Sequence, residues 1–266
     1  MYDSFDRKIN YLRISVTDRC NLRCIYCMPE EGIKMLQHNE VLSFEEIDEI
    51  TRIAVSMGVN KVRITGGEPL VRKGIVSLIE MLGKIEGITD LSMTTNGILL
   101  DKYAALLKKA GLHRINVSLD SLNPEKFRKL TRGGDLSHVL SGIEAAKKAG
   151  LTPIKINCVV QKSSEEPDAV RVADYCHRNG LQVRFIHQMS LTEGHFSVVE
   201  GGSGGDCSTC SRLRLTANGK LMPCLFSDLE FDVREMGIQR AIQAALDNKP
   251  ACGSMNLSGE FYNIGG

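Results

Sequence analysis

The sequence predicts an α/β fold built on a parallel sheet. Two observations carry that expectation. Six short runs have the apolar, β-branched character of buried strands, and amphipathic helical stretches lie between them. The strand-like runs cover residues 11–16, 61–65, 90–94, 114–118, 153–160 and 182–186. The helical stretches cover residues 44–57, 74–85, 99–110, 136–149 and 166–179. Ser43 and Glu46 form a capping-box pattern ahead of the first helix, and several helices end at Gly or Asn. Alternation of this kind implies right-handed crossovers, in either a doubly wound sheet or a partial (β/α) barrel. In both, functional loops follow the C-terminal ends of strands.

The alternation stops at Met189. Residues 200–206, Glu-Gly-Gly-Ser-Gly-Gly-Asp, read as a flexible connection. The expected organisation is therefore a domain over residues 1–189 and a small Cys-containing appendage over 190–266.

Composition excludes several classes. The chain has 266 residues, with 33 Lys and Arg against 32 Asp and Glu. No global positive field attracts nucleic acid or an acidic membrane, so any anion binding rests on local charge. No apolar run is long enough to span a membrane, and the first eight residues carry no secretory apolar region. Nine cysteines in such a chain point to metal or redox chemistry in a reducing compartment, the cytoplasm.

Cys20, Cys24 and Cys27 have the spacing C-x3-C-x2-C, directly after the first strand. Three thiolates in one loop hold three irons of a [4Fe–4S] cluster and leave the fourth open. A zinc site completed from elsewhere is the bland alternative, although zinc sites usually pair cysteines as C-x2-C twice. With Tyr26 at the aromatic position, the motif resembles the signature of the radical S-adenosylmethionine superfamily. The resemblance implies that the open iron binds S-adenosylmethionine and that one electron releases a 5′-deoxyadenosyl radical. Three later strand-end loops are similar to the same superfamily. They are Gly66-Gly67-Glu68-Pro69, Thr94 to Gly97 with Asn96, and Ser118 to Asp120. Glycines there let backbone approach the methionine ammonium, Glu68 accepts from it, and the short polar groups face ribose and carboxylate. Met189 is assigned to the same cofactor. Each loop alone is an ordinary βα turn.

Cys207, Cys210 and Cys224 give C-x2-C-x13-C, with Asn218-Gly219 marking a hairpin turn between the last two. A zinc ribbon using Cys252 or His195 as fourth ligand fits that spacing too. The stretch 207–227 resembles the C-terminal signature of the GTP 3′,8-cyclase family of molybdenum-cofactor biosynthesis, as does the opening around residues 12–21 and the ending Ile264-Gly265-Gly266. The fold expected from the resemblance is a partial (β/α)6 TIM-type barrel with a small C-terminal cluster-binding β/helical appendage.

That resemblance implies two [4Fe–4S] clusters, S-adenosylmethionine, and GTP bound through the open iron of the second cluster. It implies hydrogen abstraction from the ribose 3′ carbon and attack on guanine C8. It also implies an electron donor such as flavodoxin or ferredoxin and a downstream cyclic pyranopterin monophosphate synthase, is compatible with a homodimer, and involves neither nucleic acid nor membrane.

A triphosphate needs converging cations. Arg13, Lys61, Arg63, Lys155 and Arg184 lie on predicted strands, where a cation is costly unless paired. They suggest an anion pocket; salt-bridged or exposed strand ends are the alternative. The family uses basic residues at these positions and at Arg212 and Arg214 for substrate. Arg13, Arg212, Arg214 and the Gly265-Gly266 tail are implied in catalysis. The segment between Met189 and Cys207 is shorter than in the family, and His187 and Gln188 depart from its pattern. Cys158 and Cys176 read as buried apolar residues. Two other readings remain: a two-cluster radical enzyme acting on a peptide or another small molecule, and a non-catalytic barrel with a zinc ribbon.

Overall fold

In the computed structural model, which describes residues 1–257 and Ile264, one nine-stranded sheet organises the chain. Its strands are β1 Tyr11–Ser15, β2 Lys61–Thr65, β3 Asp90–Thr95, β4 Arg114–Ser118, β5 Lys155–Val160, β6 Gln182–His187, β7 Arg212–Leu215, β8 Lys220–Met222 and β9 Phe231–Asp232. The spatial order is β6-β5-β4-β3-β2-β1-β7-β8-β9. The first six strands pair in parallel with their sequence neighbours, the arrangement of a partial (β/α)6 TIM-type barrel. β7 then joins the free edge of β1, also in parallel, and β8 and β9 return antiparallel. The appendage strands thus extend the barrel sheet itself.

The helices are α1 Phe44–Ser56, α2 Ile75–Gly83, α3 Leu100–Lys109, α4 Pro124–Thr131, α5 Leu136–Lys148, α6 Pro167–Arg178, α7 Val233–Met236 and α8 Ile238–Asp247. All six barrel strands and the five expected helices form, with bounds shifted by three residues or fewer. Two parts are new. α4 starts at an Asn123 cap with Pro124 in its first turn, a signal that its short length hides. α7 and α8 close the C-terminal region.

The strands alternate sharply. Leu12, Ile14, Val62, Ile64, Leu91, Met93, Ile115, Val117, Ile156 and Leu213 are buried in the main apolar core with the helices. Burying each such side chain stabilises the fold by about 1.5–3 kcal/mol. The residues between them, Arg13, Arg63, Ser92, Asn116, Asn157, Arg184 and Arg214, share the opposite face by strand periodicity. In register, Arg13 stands between Arg63 and Arg214. The sheet therefore keeps one apolar face for packing and one polar face for a site. α1 is fixed at its start by the expected capping box, with Ser43 Oγ accepting from Glu46 N at 3.1 Å and Ser43 N donating to Glu46 Oε2 at 2.6 Å. No described helix is long and apolar enough to cross a membrane.

Candidate active site: two cysteine loops around a basic cavity

The loop carrying Cys20, Cys24 and Cys27 leaves the C-terminal end of β1 and is held by backbone on three sides. Gly67 N donates to Thr17 O at 2.7 Å and Glu68 N to Arg19 O at 2.8 Å. A Cβ at Gly67 would lie 2.3 Å from Arg19 O, and one at Gly66 would lie 2.7 Å from Thr17 O. The close approach these glycines permit is thus to the cysteine loop itself. Across the loop, Ile25 N and Arg23 N donate to Leu130 O and Thr131 O at the end of α4. Arg132 Nη1 reaches Arg23 O and Met28 O at 3.1 and 2.8 Å. On the third side Arg72 donates to Val16 O and Leu42 O. Neither α4, Arg132 nor Arg72 stood out in the sequence, because their role is to meet carbonyls brought together only by folding.

Within the loop Cys27 N and Met28 N both donate to Cys24 O at 3.0 Å, closing a turn that presents the half-buried thiols together. Burial, then the nearby Asp120, then the other two sulfurs push the Cys24 thiol up to about 12. Burial and Cys20 push Cys27 up to about 11. The sulfurs thus lie close enough to act on one another, and metal binding to such a set releases its protons. The donor set fits an iron–sulfur cluster.

The strand-end residues surround that loop. Glu68 is 1% exposed; its Oε1 accepts from Leu70 N at 3.0 Å and Thr95 Oγ1 at 2.7 Å, and its Oε2 from Asn96 N at 2.7 Å. Burial outweighs those donors and pushes its carboxyl up to about 7. Asn96 Nδ2 donates to Asn21 Oδ1 at 2.7 Å and lies 3.8 Å from Cys20 Sγ. Asp120 accepts from Tyr26 OH at 2.7 Å and from Val159 N at 2.8 Å. Tyr26 and Asp120 thus tie the cysteine loop to β4 and β5. Thr94 Oγ1 is buried with no partner among the described residues. Ser118 ends β4 at the same mouth.

The second cysteine set is built as firmly. Cys210 N donates to Cys207 O at 3.3 Å. Asp206 caps this turn, accepting from Ser208 N, Ser208 Oγ and Thr209 Oγ1. Lys249, 3% exposed, donates to Arg212 O at 2.8 Å and Pro223 O at 2.5 Å. Burial alone would raise the Cys210 thiol. Lys249, the Arg212 backbone N–H and the Arg212 guanidinium together pull it below the ordinary thiol value. Cys224 follows β8, and the hairpin between β7 and β8 turns at Asn218-Gly219 as its sequence requires.

A cavity of about 290 Å³ runs from the polar face of the sheet to Cys207, Cys210 and Cys224. Among the described residues, Arg13, Lys61, Arg63, Arg114, Arg184, Arg212, Arg214 and Lys249 line it, against the carboxylates of Asp90 and Asp206 alone. Burial first, then neighbouring cations, depress Arg13, Arg184 and Arg214, the last to about 10. Asp90 is committed to Arg114 by two contacts of 2.8 and 2.5 Å. Lys155 is not among the cavity-lining residues; two residues before Asn157 on β5 it shares the polar face, and it is pushed down to about 8 by burial and by Arg184, Arg114 and Arg63. Buried polar atoms without partners among the described residues, Tyr11 OH, Asn116 Nδ2 and Asn157 Oδ1, share this face. Such groups cost about 1–3 kcal/mol each unless something occupies the cavity. Met189 and Phe196 line the same cavity, beside Leu191, Leu225, Phe226 and Ile264. Gly265 and Gly266 lie outside the described residues.

The glycine-rich stretch of 200–206 is not the loose connection its composition predicts. Glu200 and Phe185 exchange backbone hydrogen bonds at 3.1 Å, Val199 N donates to Gly204 O, and Arg212 Nη2 donates to Ser203 O. A Cβ at Gly205 would lie 2.0 Å from Ser197 O, and one at Gly201 would lie 2.7 Å from Val183 O. Glycine serves close backbone approach here, and the stretch is a packed wall of the cavity.

Comparison with known proteins agrees with this geometry. The radical SAM superfamily model matches residues 14–182, and the Molybdenum Cofactor Synthesis C model matches residues 160–254. The GTP 3′,8-cyclase of Thermodesulfovibrio yellowstonii is 46% identical over 89% of this chain and 88% of its own length. The chain belongs to the GTP 3′,8-cyclase family. The GTP 3′,8-cyclase of Petrotoga mobilis is 42% identical over 98% of this chain and 95% of its own. That alignment runs over 314 positions against a chain of 266, so the relative carries segments this family member lacks. Among solved structures, Streptococcus suis SuiB shares the fold with a TM-score of 0.66 at 16% identity, over 91% of this chain and 66% of that one. SuiB bound to S-adenosylmethionine gives 0.64. Membership in the radical SAM superfamily implies a [4Fe–4S] cluster and S-adenosylmethionine, which the loop of Cys20, Cys24 and Cys27 fits.

Proposed function

We propose that this chain is a radical S-adenosylmethionine-dependent GTP 3′,8-cyclase with a second [4Fe–4S] cluster on Cys207, Cys210 and Cys224. One observation supports this above the others: a cavity lined by eight cations and two carboxylates ends at the second cysteine trio. A nucleoside triphosphate suits this chemistry, with phosphates among the cations and a purine at the trio.

Bound S-adenosylmethionine, given one electron, supplies the 5′-deoxyadenosyl radical that takes hydrogen from an unactivated ribose carbon. The residues of the chain bind, orient and shield. Cys20, Cys24 and Cys27 hold the first cluster. Glu68 offers its carboxylate to the cofactor ammonium, and Thr94 its buried hydroxyl to the cofactor. Asn96 fixes the Cys20 loop. Arg13, Lys61, Arg63 and Arg184 hold the phosphates, with Lys155 adding charge from the same face of the sheet. Arg212 and Arg214, which line the cavity and act on the second cysteine set, would hold the substrate beside the second cluster. By family resemblance, Gly265 and Gly266 take part in catalysis. An external one-electron donor of the flavodoxin or ferredoxin type serves the first cluster, and a cyclic pyranopterin monophosphate synthase takes the product.

Anaerobic reconstitution followed by GTP, S-adenosylmethionine and dithionite tests this by mass spectrometry. About eight irons per chain, 5′-deoxyadenosine and a cyclised GTP isomer are expected. Deoxyadenosine formed with GTP left intact would overturn the substrate.

A further inference from the structure

Cys252 lies outside both cysteine trios, and the sequence offers it only as a fourth ligand of a zinc ribbon. It is exposed, whereas Cys207, Cys210 and Cys224 are partly buried. Its thiol donates to Cys207 Sγ at 3.3 Å, across 45 positions of sequence. The surrounding backbone builds that contact. Arg7 Nη1 donates to both Cys207 O at 2.7 Å and Ala251 O at 2.8 Å, and Arg7 Nη2 to Pro250 O at 2.6 Å. One buried guanidinium thus joins the chain at Cys207 to the chain just before Cys252, and Asp3 holds that guanidinium at 2.7 Å. Beyond Cys252, Ser254 N donates to Phe226 O at 3.0 Å. Gly253 packs so tightly that a Cβ there would lie 3.0 Å from Cys224 Sγ and 2.7 Å from Phe226 Cβ. The backbone on both sides of Cys252 is fixed, and its side chain is exposed at the surface.

We propose that Cys252 is the disulfide partner of Cys207. The bond forms when the second cysteine set holds no metal, and it takes Cys207 out of the donor set. The contact stands on its own geometry; the effect on metal loading rests on the two-cluster reading above. The oxidant is a low-molecular-weight disulfide. The exposed Cys252 thiolate attacks it, one small thiol leaves, and a mixed disulfide remains on Cys252. The Cys207 thiolate then attacks the Cys252 sulfur and expels the second small thiol. Two protein S–H bonds are exchanged for one S–S bond, and the small disulfide is reduced to two thiols. A disulfide of about 2.05 Å asks the two sulfurs to close by about 1.2 Å. Rotation of the Cys252 side chain supplies that movement. Excess reducing thiol reverses the sequence and returns Cys207 to the site, the behaviour of a transient disulfide in a reducing compartment.

The test uses the full chain, stripped of metal under anaerobic conditions and equilibrated with oxidised glutathione. Free thiols are then alkylated and the digest is mapped by mass spectrometry. A Cys207–Cys252 crosslink is expected in the wild type, lost with dithiothreitol and absent from Cys252→Ser. Reconstituted without reductant, the oxidised wild type takes up about half the iron of Cys252→Ser, and dithiothreitol restores the rest. A map joining Cys207 to Cys210 or Cys224, or leaving Cys252 as its glutathione adduct, overturns the proposal. So does a reduced wild type that binds more iron than Cys252→Ser, which makes Cys252 a metal ligand instead. Cys207→Ser separates the two readings: iron equal to the reduced wild type sinks the second cluster, while the crosslink is still decided by its own map.

Discussion

Replacing Gly67 with alanine adds one carbon at a place that has no room for it. The new Cβ would sit 2.3 Å from Arg19 O, 2.7 Å from Arg19 C and 2.9 Å from Asp18 O. All three are backbone atoms, so no side-chain rotation relieves the contact. Relief needs about 1 Å of separation between the Gly67 segment and residues 18–19. That movement breaks Gly67 N to Thr17 O and Glu68 N to Arg19 O, now 2.7 and 2.8 Å. Overpacking costs about 1–3 kcal/mol, and each lost hydrogen bond about 1 kcal/mol. The sum, about 3–5 kcal/mol, is a large share of the 5–15 kcal/mol typical of a whole domain. Cys20 follows Arg19 directly, so the first cluster should suffer beyond the loss of stability. The assay is a urea unfolding curve paired with iron content after anaerobic reconstitution. Gly180→Ala is the control, because Gly180 has φ +66° and nothing within 4 Å of the added carbon. It should cost about 1 kcal/mol of backbone strain and leave iron unchanged. A Gly67→Ala protein that unfolds within about 1 kcal/mol of the wild type, or that loads iron fully, would refute the reasoning.

Three further outcomes follow from the same structure. Glu68 has a folded pKa raised to about 7 against an ordinary 4.5, mainly by burial. The folded state therefore holds this proton more tightly than the unfolded state, and stability from Glu68 is greatest below pH 4.5 and falls as pH rises through 7. From pH 6 to 8 the wild type should lose about 1 kcal/mol relative to Glu68→Gln, a difference that parallel melts at both pH values would reveal or exclude. Arg184→Gln removes one cation from a crowd that includes Arg63, Arg114 and Lys155. The empty protein should melt higher while GTP binds about 10–100-fold more weakly; a lower melting point in both states contradicts the view of the cavity as stored repulsion. Arg7→Ala leaves the Asp3 carboxylate, whose side chain is fully buried, without its ion pair and frees three carbonyls. Destabilisation of about 3–5 kcal/mol is expected, with iron lost first from the second site, and equal loss from both sites would show that Arg7 merely holds the fold.

The sequence by itself determined the barrel strands, because short apolar, β-branched runs set between amphipathic helical stretches bury only as strands of a parallel sheet. It also determined both cysteine loops, whose spacing is local and needs no knowledge of distant contacts. The cations of β1, β2 and β6 were legible for the same reason: charge inside an apolar run has to face a site. The tertiary structure alone decided how those pieces meet. Arg114, Lys249, Arg132 and Arg72 look like ordinary surface charges in the chain, and folding brings each to carbonyls or charges far away in sequence. Residues 200–206 have the composition of a loose linker, yet their glycines lie where a Cβ would strike neighbouring backbone. Cys252 is legible in the sequence only as a spare metal ligand, and the Arg7 clamp with the Ser254–Phe226 contact sets it against Cys207. Periodicity and short spacings are written along the chain, whereas meetings between its distant parts are fixed by packing and come into being only when it folds.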